Sequence, residues 1–353
     1  KGLSGMATKD EDVITTLFVA NTHTQLLFFT DDGMAYKLKT WCLPLGGRTA
    51  KGKPIVNILP IPTGVGIAAI MPVDRDEVDW DDLQIVFATS KGSVRRNRLS
   101  DFTNVKSNGK IAMKFEGEDE GTRLINARIC DENDDVMLVT SSGRAIRFPV
   151  TDVRVFNSRA SLGVRGIKMT DDEVVSMSVI RHFEADASER AAYLKMRRAQ
   201  AGADEIEGTD DEDTVEGSIS QERFEEMKAA EELLVTISES GTGKLSSSHD
   251  YPVRGRGGMG VTAMDKAMRG GPLVASFPVA LDDQIMLATS KGQSIRCPVK
   301  GISFRSRSAG GVKVFDTGKG EVVVSVAYIA ESDDEDQVDT DQSSEAPTGT
   351  PEA

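Results

Sequence analysis

Short apolar runs, each followed by a tight turn and a strand that carries Lys or Arg, recur along the chain. The first spans Gln25–Lys37 (QLLFFTDDGMAYK), and later copies end at Arg95, Arg147, Lys244 and Arg296. Apolar runs of this length, bounded by Gly and polar turn residues, are typical of strands joined as hairpins. The pattern therefore predicts five β-hairpins.

Each predicted hairpin has a glycine at its turn, and these are Gly33, Gly92, Gly143, Gly241 and Gly292. Glycine adopts without penalty the positive φ that a tight hairpin turn needs. Successive turn glycines are 59, 51, 98 and 51 residues apart. The chain thus repeats about every 50 residues, with one insertion of similar length between the third and fourth hairpins.

Two further landmarks recur in each unit. A loop rich in Gly, Lys and Arg follows every hairpin, at Arg48–Val56, Lys106–Met113, Ser161–Ile167, Arg254–Val261 and Arg305–Val314. An apolar strand then closes the unit, at Ile67–Val73, Leu124–Ile129, Val174–Ile180, Leu273–Val279 and Val322–Ile329. Residues 12–20 look like a sixth closing strand. Six closing strands against five hairpins predict that the chain starts inside a unit.

About four strands per repeat indicate an all-β, propeller-like fold, because one four-stranded blade cannot bury both of its faces alone. We expect five full blades, the remnant of a sixth, a helical insertion and a disordered acidic tail. The predicted boundaries are 1–20 for the remnant, 21–74, 75–130, 131–180, 233–280 and 281–330 for the blades, 181–232 for the insertion, and 331–353 for the tail.

The insertion reads as two helices, Ser188–Gln200 and Ser220–Glu232, with Ser188 as a candidate N-cap. The acidic stretch Asp204–Glu216 between them is expected to be mobile. We expect the two helices to project from the rim of the propeller, as a solvated hairpin or as a regulatory or partner contact. The tail 331–353 contains no basic residue, which predicts disorder.

Charge is distributed very unevenly along the chain. The net charge is −14, but residues 181–232 and 331–353 account for −9 each, whereas residues 1–180 sum to −1 and residues 233–330 to +5. The repeated body is therefore mildly basic and carries two acidic appendages. Overall acidity does not exclude a nucleic-acid partner for such a molecule.

The sequence lacks the residues that several kinds of function require. The three cysteines and three histidines are scattered, which disfavours a disulfide framework, a zinc site and a catalytic triad. The glycine-rich run Arg254–Gly260 lacks the Gly-Lys-Ser/Thr ending of a phosphate-binding loop. No apolar run approaches the roughly 20 residues that span a bilayer. We expect no catalytic residue, no metal, no cofactor in this chain, no membrane contact and a cytoplasmic location.

The basic loops occupy the same place in every unit, so a radial array would bring them to one rim as a curved positive stripe. Such a stripe suits phosphate contacts that ignore base sequence and can bend a duplex. The candidate DNA-binding residues are Lys1, Arg48, Lys51, Lys53, Arg95, Arg96, Lys106, Lys110, Arg159, Arg165, Lys168, Arg254, Arg256, Arg305, Arg307 and Lys313.

Other functions remain open on these residues. A protein-interaction propeller could carry basic loops without binding DNA. A propeller hydrolase would need a cluster of His or carboxylates in its channel, and the sequence offers none. The acidic tail is either a solubilising segment or a polyanion that competes with DNA for the basic loops.

A family resemblance favours DNA. Val19–His23, Arg48–Pro60, Gly163–Ile167 and the acidic tail resemble the C-terminal domain of DNA gyrase A, along the whole chain except 181–232. The resemblance implies a β-pinwheel, a propeller variant of usually six blades that exchange strands with their neighbours. It also implies that double-stranded DNA wraps around the basic rim, so that an ATP-dependent type II topoisomerase introduces negative supercoils.

The same resemblance implies a bacterial heterotetramer with the rest of gyrase A and with gyrase B. The catalytic tyrosine and the ATPase, with its ATP and Mg, would lie outside this chain. Lys1-Gly2 resembles the end of the family's wrapping motif, Gln-Arg-Arg-Gly-Gly-Lys-Gly. We therefore expect this chain to bind and bend DNA without supporting supercoiling. The C-terminal domain of topoisomerase IV, with fewer or less regular blades, is the nearest rival.

Overall fold

The computed structural model describes residues 18, 20–46, 50–74, 76–115, 121–159, 161–200 and 218–329. Several predictions lie outside these residues. They concern Lys1, Arg48, most of the strand at 12–20, the acidic stretch Asp204–Glu216 and the tail 331–353.

All five predicted hairpins are confirmed. They are formed by β1 (Gln25–Thr30) with β2 (Met34–Lys39), β4 (Gln84–Thr89) with β5 (Ser93–Arg98), β8 (Asp134–Thr140) with β9 (Arg144–Pro149), β12 (Leu233–Ser238) with β13 (Thr242–Ser247), and β16 (Gln284–Thr289) with β17 (Ser294–Pro298). The predicted closing strands are β3 (Ile67–Val73), β7 (Leu124–Cys130), β11 (Val174–Arg181), β15 (Leu273–Val279) and β19 (Val323–Ile329).

Four of the basic loops contain a strand of two residues. These strands are β6 (Lys110–Ile111), β10 (Val164–Arg165), β14 (Val261–Thr262) and β18 (Val312–Lys313). In the first basic loop, the described residues instead form a 3-10 turn at Ile55–Asn57.

Each short strand pairs with the hairpin of the preceding repeat, not with its own. The resulting sheet orders are β3-β1-β2-β6, β7-β4-β5-β10, β11-β8-β9-β14 and β15-β12-β13-β18, and the described part of the fifth sheet is β19-β16-β17. A closing strand thus forms one edge of every sheet, and a strand from the next repeat forms the other edge of four sheets. The expected strand exchange between neighbouring blades is confirmed.

Apolar layers fill the spaces between successive sheets, because the strands are apolar on both faces. In β4, Ile85 and Phe87 join the core shared with the first sheet, while Val86 and Ala88 join the core shared with the third. Two further clusters lie between the third and fourth sheets and between the fourth and fifth. The closing strands of neighbouring sheets also contact one another. They therefore form the inner edge of the array, and the exchanged strands form its outer edge.

Two helices form within the insertion, α1 (Ala187–Gln200) and α2 (Gln221–Ala229). Ser188 is not the cap of α1. Instead, Asp186 accepts a hydrogen bond from the Glu189 N–H, and Glu189 accepts one from the Asp186 N–H, a reciprocal capping arrangement. Ser220 caps α2 by accepting from the Arg223 N–H, and α2 ends three residues before the predicted boundary.

From the sequence, we expected the helices to project from the rim. They pack against the fourth blade instead. Tyr193 of α1 and Phe183 both contact the ring of His249, which is buried at the end of the fourth hairpin. His249 Nε2 lies 2.7 Å from the carbonyl oxygen of Met227 in α2. Nε2 donates this bond, because a carbonyl oxygen can only accept, and burial lowers the pKa of His249. The insertion is thus packed onto the fourth blade through an apolar and aromatic contact.

We predict that Gly33→Ala destabilises the fold more than Gly64→Ala. Both glycines have similar positive φ, 87° and 88°, but a Cβ at Gly33 would lie 2.2 Å from the Met113 carbonyl oxygen, whereas a Cβ at Gly64 has no neighbour within 4 Å. The backbone conformation alone costs about 1–2 kcal/mol with a Cβ. Denaturant unfolding should show a larger loss for Gly33→Ala. Equal losses would contradict the close approach of the segment that follows the exchanged strand β6.

Candidate nucleic-acid interface

Four loops run along the outer edges of four successive sheets. We call residues 105–111, 155–165, 253–262 and 304–313 the perimeter loops. Three of them begin with a bridge to the preceding hairpin, Arg96 to Val155, Arg147 to Val253 and Leu245 to Phe304. All four end in an exchanged strand. The perimeter loops therefore occupy equivalent positions on the outer side of the array.

The perimeter loops carry cations and contain no acidic residue. Every one of them has at least one exposed cation, and the exposed set is Lys106, Arg165, Arg254, Arg256 and Lys313. Lys51 and Lys53, in the first basic loop, and Lys168, just beyond the second perimeter loop, are also exposed. Lys313 reaches Asp316, beyond the end of its loop, at 3.5 Å. The outer edge thus presents a series of positive charges with no carboxylate inside the loops themselves.

A glycine allows a perimeter loop to lie directly against the neighbouring sheet. Gly163 has a φ of 95°, and a Cβ there would lie 2.1 Å from the carbonyl oxygen of Val94 in β5. Any larger residue would push the loop away from the strand. This glycine is therefore required by the packing of the backbone, and the cations beside it are held close to the sheet.

Other cations point inward and hold the loops in place. Arg95, in β5, is fully buried and donates hydrogen bonds to the carbonyl oxygens of Arg159, Ser161 and Ala112. It thereby joins its own sheet to the second perimeter loop and to the segment that follows the first. Burial, together with the charge of Arg159, lowers the pKa of Arg95 to about 10.

Lys244 has the same role in the fourth sheet. It follows the turn glycine by three residues, as Arg95 does, and its Nζ donates to the carbonyl oxygens of Ser306, Arg307 and Ala309. Burial lowers the pKa of Lys244 to about 7. This single ammonium group therefore fastens the fourth perimeter loop to the fourth hairpin.

A buried ion pair makes the corresponding connection at the third hairpin. Arg147 Nε lies 2.7 Å from Asp135 Oδ2, and both side chains are almost completely buried. Arg147 Nη1 also donates to the carbonyl oxygen of Ser248. The pair therefore ties the third hairpin to the end of the fourth.

Arg256 and Arg307 occupy equivalent positions in successive perimeter loops. Each donates through Nε to a carbonyl oxygen in a 3-10 turn, that of Asp152 for Arg256 and that of Asp250 for Arg307. Each also donates through Nη1 to an exchanged strand. Arg256 is exposed, whereas Arg307 is 4% exposed. The same pair of hydrogen bonds to the backbone is therefore made by an exposed Arg at one blade and by a buried Arg at the next.

The predicted DNA-binding residues thus separate into classes. Lys51, Lys53, Lys106, Arg165, Lys168, Arg254, Arg256 and Lys313 are exposed, and Lys110, Arg159 and Arg305 are half-buried. The structure does not support Arg95, Arg96 and Arg307 as phosphate contacts, because they are 0%, 5% and 4% exposed and each donates at least one side-chain N–H to a protein oxygen.

The first two perimeter loops bring like charges close together. Lys110 belongs to the first and Arg159 to the second, and burial together with the charge of Arg159 lowers the pKa of Lys110. The Nη1 atom of Arg159 is buried and has no hydrogen-bond partner among the described residues. Like charges held together in this way favour an anion between or beside them.

Lys114 was not among the candidates predicted from the sequence, although the structure places it at a position equivalent to that of a candidate. It follows the exchanged strand β6 at the same distance as Lys168 follows β10, and both side chains are exposed. Alignment of the repeats on their exchanged strands, instead of on their glycine-rich loops, would have found it.

The described residues contain no helix long and apolar enough to cross a membrane. Within the same residues, no three His, Cys, Asp or Glu side chains are grouped so that they could hold a metal ion.

A family model described as "DNA gyrase C-terminal domain, beta-propeller" matches most of this chain, in six stretches at residues 1–21, 24–74, 84–120, 134–181, 232–273 and 283–330. The chain belongs to the DNA gyrase C-terminal domain family. The matched stretches follow the structural repeat, and residues 182–231, which contain both helices, lie between two of them.

Curated relatives agree with this membership. The A subunit of DNA gyrase from Granulibacter bethesdensis is 44% identical over 98% of this chain and 38% of its own length. The corresponding protein of Rickettsia bellii is 41% identical over 97% of this chain and 38% of its own length. The chain therefore spans less than two fifths of the length of these relatives.

Solved structures agree on the fold. A DNA gyrase A C-terminal domain superposes with a TM-score of 0.62 at 20% identity, covering 93% of this chain and 92% of its own. The C-terminal domain of a DNA topoisomerase IV superposes with a TM-score of 0.65 at 19% identity, covering 88% of this chain and 80% of its own. The all-β, propeller-like architecture predicted from the repeats is confirmed, as is the pinwheel-like form that the family resemblance implied.

We predict that buried and exposed cations of this family member have different roles. Arg95→Met should lower the free energy of unfolding by about 2–4 kcal/mol, because it leaves buried carbonyl oxygens without donors. Arg165→Gln, on the exposed surface, should stay within about 0.5 kcal/mol of the parent. Denaturant unfolding measures both. Similar stabilities for the two variants would show that Arg95 does not hold the second perimeter loop.

Proposed function

We propose that this chain binds duplex DNA along its perimeter loops and bends it, as the DNA-wrapping part of a gyrase A protein. The observation that carries the proposal is the composition of the perimeter loops, which combine exposed cations with a complete lack of acidic residues. Membership of the gyrase C-terminal domain family supports the same assignment.

The arrangement suits the DNA backbone better than the base edges. The exposed cations belong to short loops held against the sheets by glycine and by buried Arg and Lys, so none of them lies on an element that could enter a groove. Spaced phosphate contacts give sequence-independent, salt-sensitive binding. Bending a duplex costs on the order of 1–6 kcal/mol, and contacts distributed over several blades can offset that cost.

In the whole enzyme, this chain would act together with the rest of gyrase A and with gyrase B. The wrapped segment would be presented to the catalytic part of the enzyme, where ATP-driven strand passage converts it into negative supercoils. No cofactor is assigned to this chain, and a cytoplasmic, bacterial setting accompanies this role.

The first test uses charge removal at the perimeter. A Lys106→Gln, Arg165→Gln, Lys168→Gln variant should bind a linear duplex more weakly, and each lost phosphate contact should reduce the slope of log K against log salt by about 0.9. The matched control is Arg123→Gln, Lys291→Gln, Lys319→Gln, which removes three exposed cations at the turn ends of the hairpins.

Electrophoretic mobility shifts at several salt concentrations measure the effect. Equal losses for the perimeter variant and the control would point to general electrostatic attraction. The absence of any salt-dependent binding by the parent would refute the proposed function and favour a protein-interaction propeller.

The second test asks whether bound DNA is wrapped with a defined hand. Relaxed closed circular DNA is incubated with the chain and a type I topoisomerase, and its topology is read after the protein is removed. We expect the linking number to increase relative to relaxed DNA, so that positively supercoiled topoisomers accumulate as the protein concentration rises. Binding that leaves the topoisomer distribution unchanged would contradict wrapping while leaving DNA binding intact.

A further inference from the structure

The helical insertion covers one part of the outer surface, formed by the 3-10 turn Ser248–Asp250 and the Arg307 side chain beside it. We call this part the covered corner. Helix α1 packs against the 3-10 turn Ser248–Asp250, which leads into the third perimeter loop. The equivalent turn in the preceding repeat is Val150–Asp152, and its Asp152 is exposed. Asp250, by contrast, is 7% exposed. The same structural position is therefore open at the third blade and closed by α1 at the fourth.

Covering this corner removes a cation from the outer surface. Arg256 clamps the open turn and remains exposed, whereas Arg307 clamps the covered turn and is buried beside Asp250. The backbone N–H of Arg307 donates to Asp250 Oδ2 at 2.7 Å, and its Nε lies 3.7 Å from Oδ1. The charge of Arg307 is thus neutralised inside the protein instead of being presented to a ligand.

Helix α1 brings its own cations to the same place. Lys195 and Arg198 are exposed and lie three residues apart, so they share one face of the helix. The helix as a whole contains four basic residues and one acidic residue. The C-terminal half of α1 therefore presents positive charge at the blade where the equivalent Arg is hidden.

The position of this last turn is fixed by contacts with the fourth perimeter loop and with the segment after α2. Arg197 lies over the ring of Phe304, 4.9 Å from its centroid, and forms an ion pair with Glu231 at 3.1 Å. Burial raises the pKa of Asp250, and the charges of Arg307 and Arg198 oppose that rise. Arg198 follows Arg197 directly in this last turn, so it lies at the end of α1 that packs beside the fourth perimeter loop.

We infer that Lys195 and Arg198 of α1 contact phosphates of the bound duplex at the fourth blade, in place of the covered Arg307. The inference rests on the proposed function, since it assigns the insertion to the same DNA-binding perimeter. The insertion then extends the binding surface over an otherwise closed corner, instead of being a passive helical hairpin.

Lys195 and Arg198 could instead serve only to stabilise the fold, and an experiment can separate that role from contact with DNA. Arg198 lies in the last turn of α1, where a cation stabilises the helix through its dipole. In addition, the sequence 201–217 that follows contains eight acidic residues and no basic residue. A role limited to the dipole or to these carboxylates would affect the stability of the chain without weakening its hold on DNA.

The decisive experiment compares Lys195→Gln, Arg198→Gln with two reference variants in the full chain. Lys195→Arg, Arg198→Lys retains both charges, and Lys291→Gln, Lys319→Gln removes two exposed cations at the turn end of the fifth hairpin. Binding to a linear duplex is measured by fluorescence anisotropy over a range of salt, and thermal unfolding is measured in parallel.

We expect Lys195→Gln, Arg198→Gln to lower the salt slope by about 1–2 and to weaken binding roughly 3- to 10-fold at moderate salt. The charge-retaining variant should bind like the parent, and the turn-end variant should change much less. Parental-like or tighter binding by Lys195→Gln, Arg198→Gln would overturn the inference, as would an equal loss in the turn-end variant. If the parent itself shows no salt-dependent binding, the proposed function fails as well, so the two failures are distinguishable.

Discussion

In four of the five described sheets, a strand from the next repeat pairs with the outer edge, and the rest of the structure depends on this exchange. A three-stranded sheet made from one repeat would leave the N–H and C=O groups of its hairpin unpaired along one side. The two-residue strands from the following repeats pair with part of that side in four sheets. Because each repeat contributes to two sheets, neighbouring blades are coupled more strongly than stacked repeats that only touch.

Positive charge has two separate roles in this architecture. Arg95, Lys244 and Arg147 are buried where an exchanged segment meets a hairpin, and they donate to carbonyl oxygens that regular strand pairing does not use. The exposed cations of the same segments face outward, and no carboxylate within the loops competes with a polyanion for them. The inward cations position the backbone, and the outward cations give the perimeter its electrostatic character.

The repeat made most of the fold predictable from sequence, because a turn glycine and an apolar closing strand recur in the same order in every unit. The division into buried and exposed cations was not predicted, although one position of the repeat indicated it. The residues three positions after the first four turn glycines are Tyr36, Arg95, Ile146 and Lys244, and all four are buried. A position that alternates between apolar and basic residues is an interior position. The insertion was less predictable, because the docking of its helices depends on His249 and Phe304, which are distant in sequence.

The fifth sheet has three strands among the described residues, and β17 forms its outer side. Ile295 of β17 is 37% exposed, which makes the strand a potential template for pairing with a second molecule. The same strand carries the charged Arg296 and ends at Pro298, which has no N–H to donate. Residues of this kind act as gatekeepers that disfavour edge-to-edge aggregation, so β17 carries its own protection against self-association on the side that has no partner strand among the described residues.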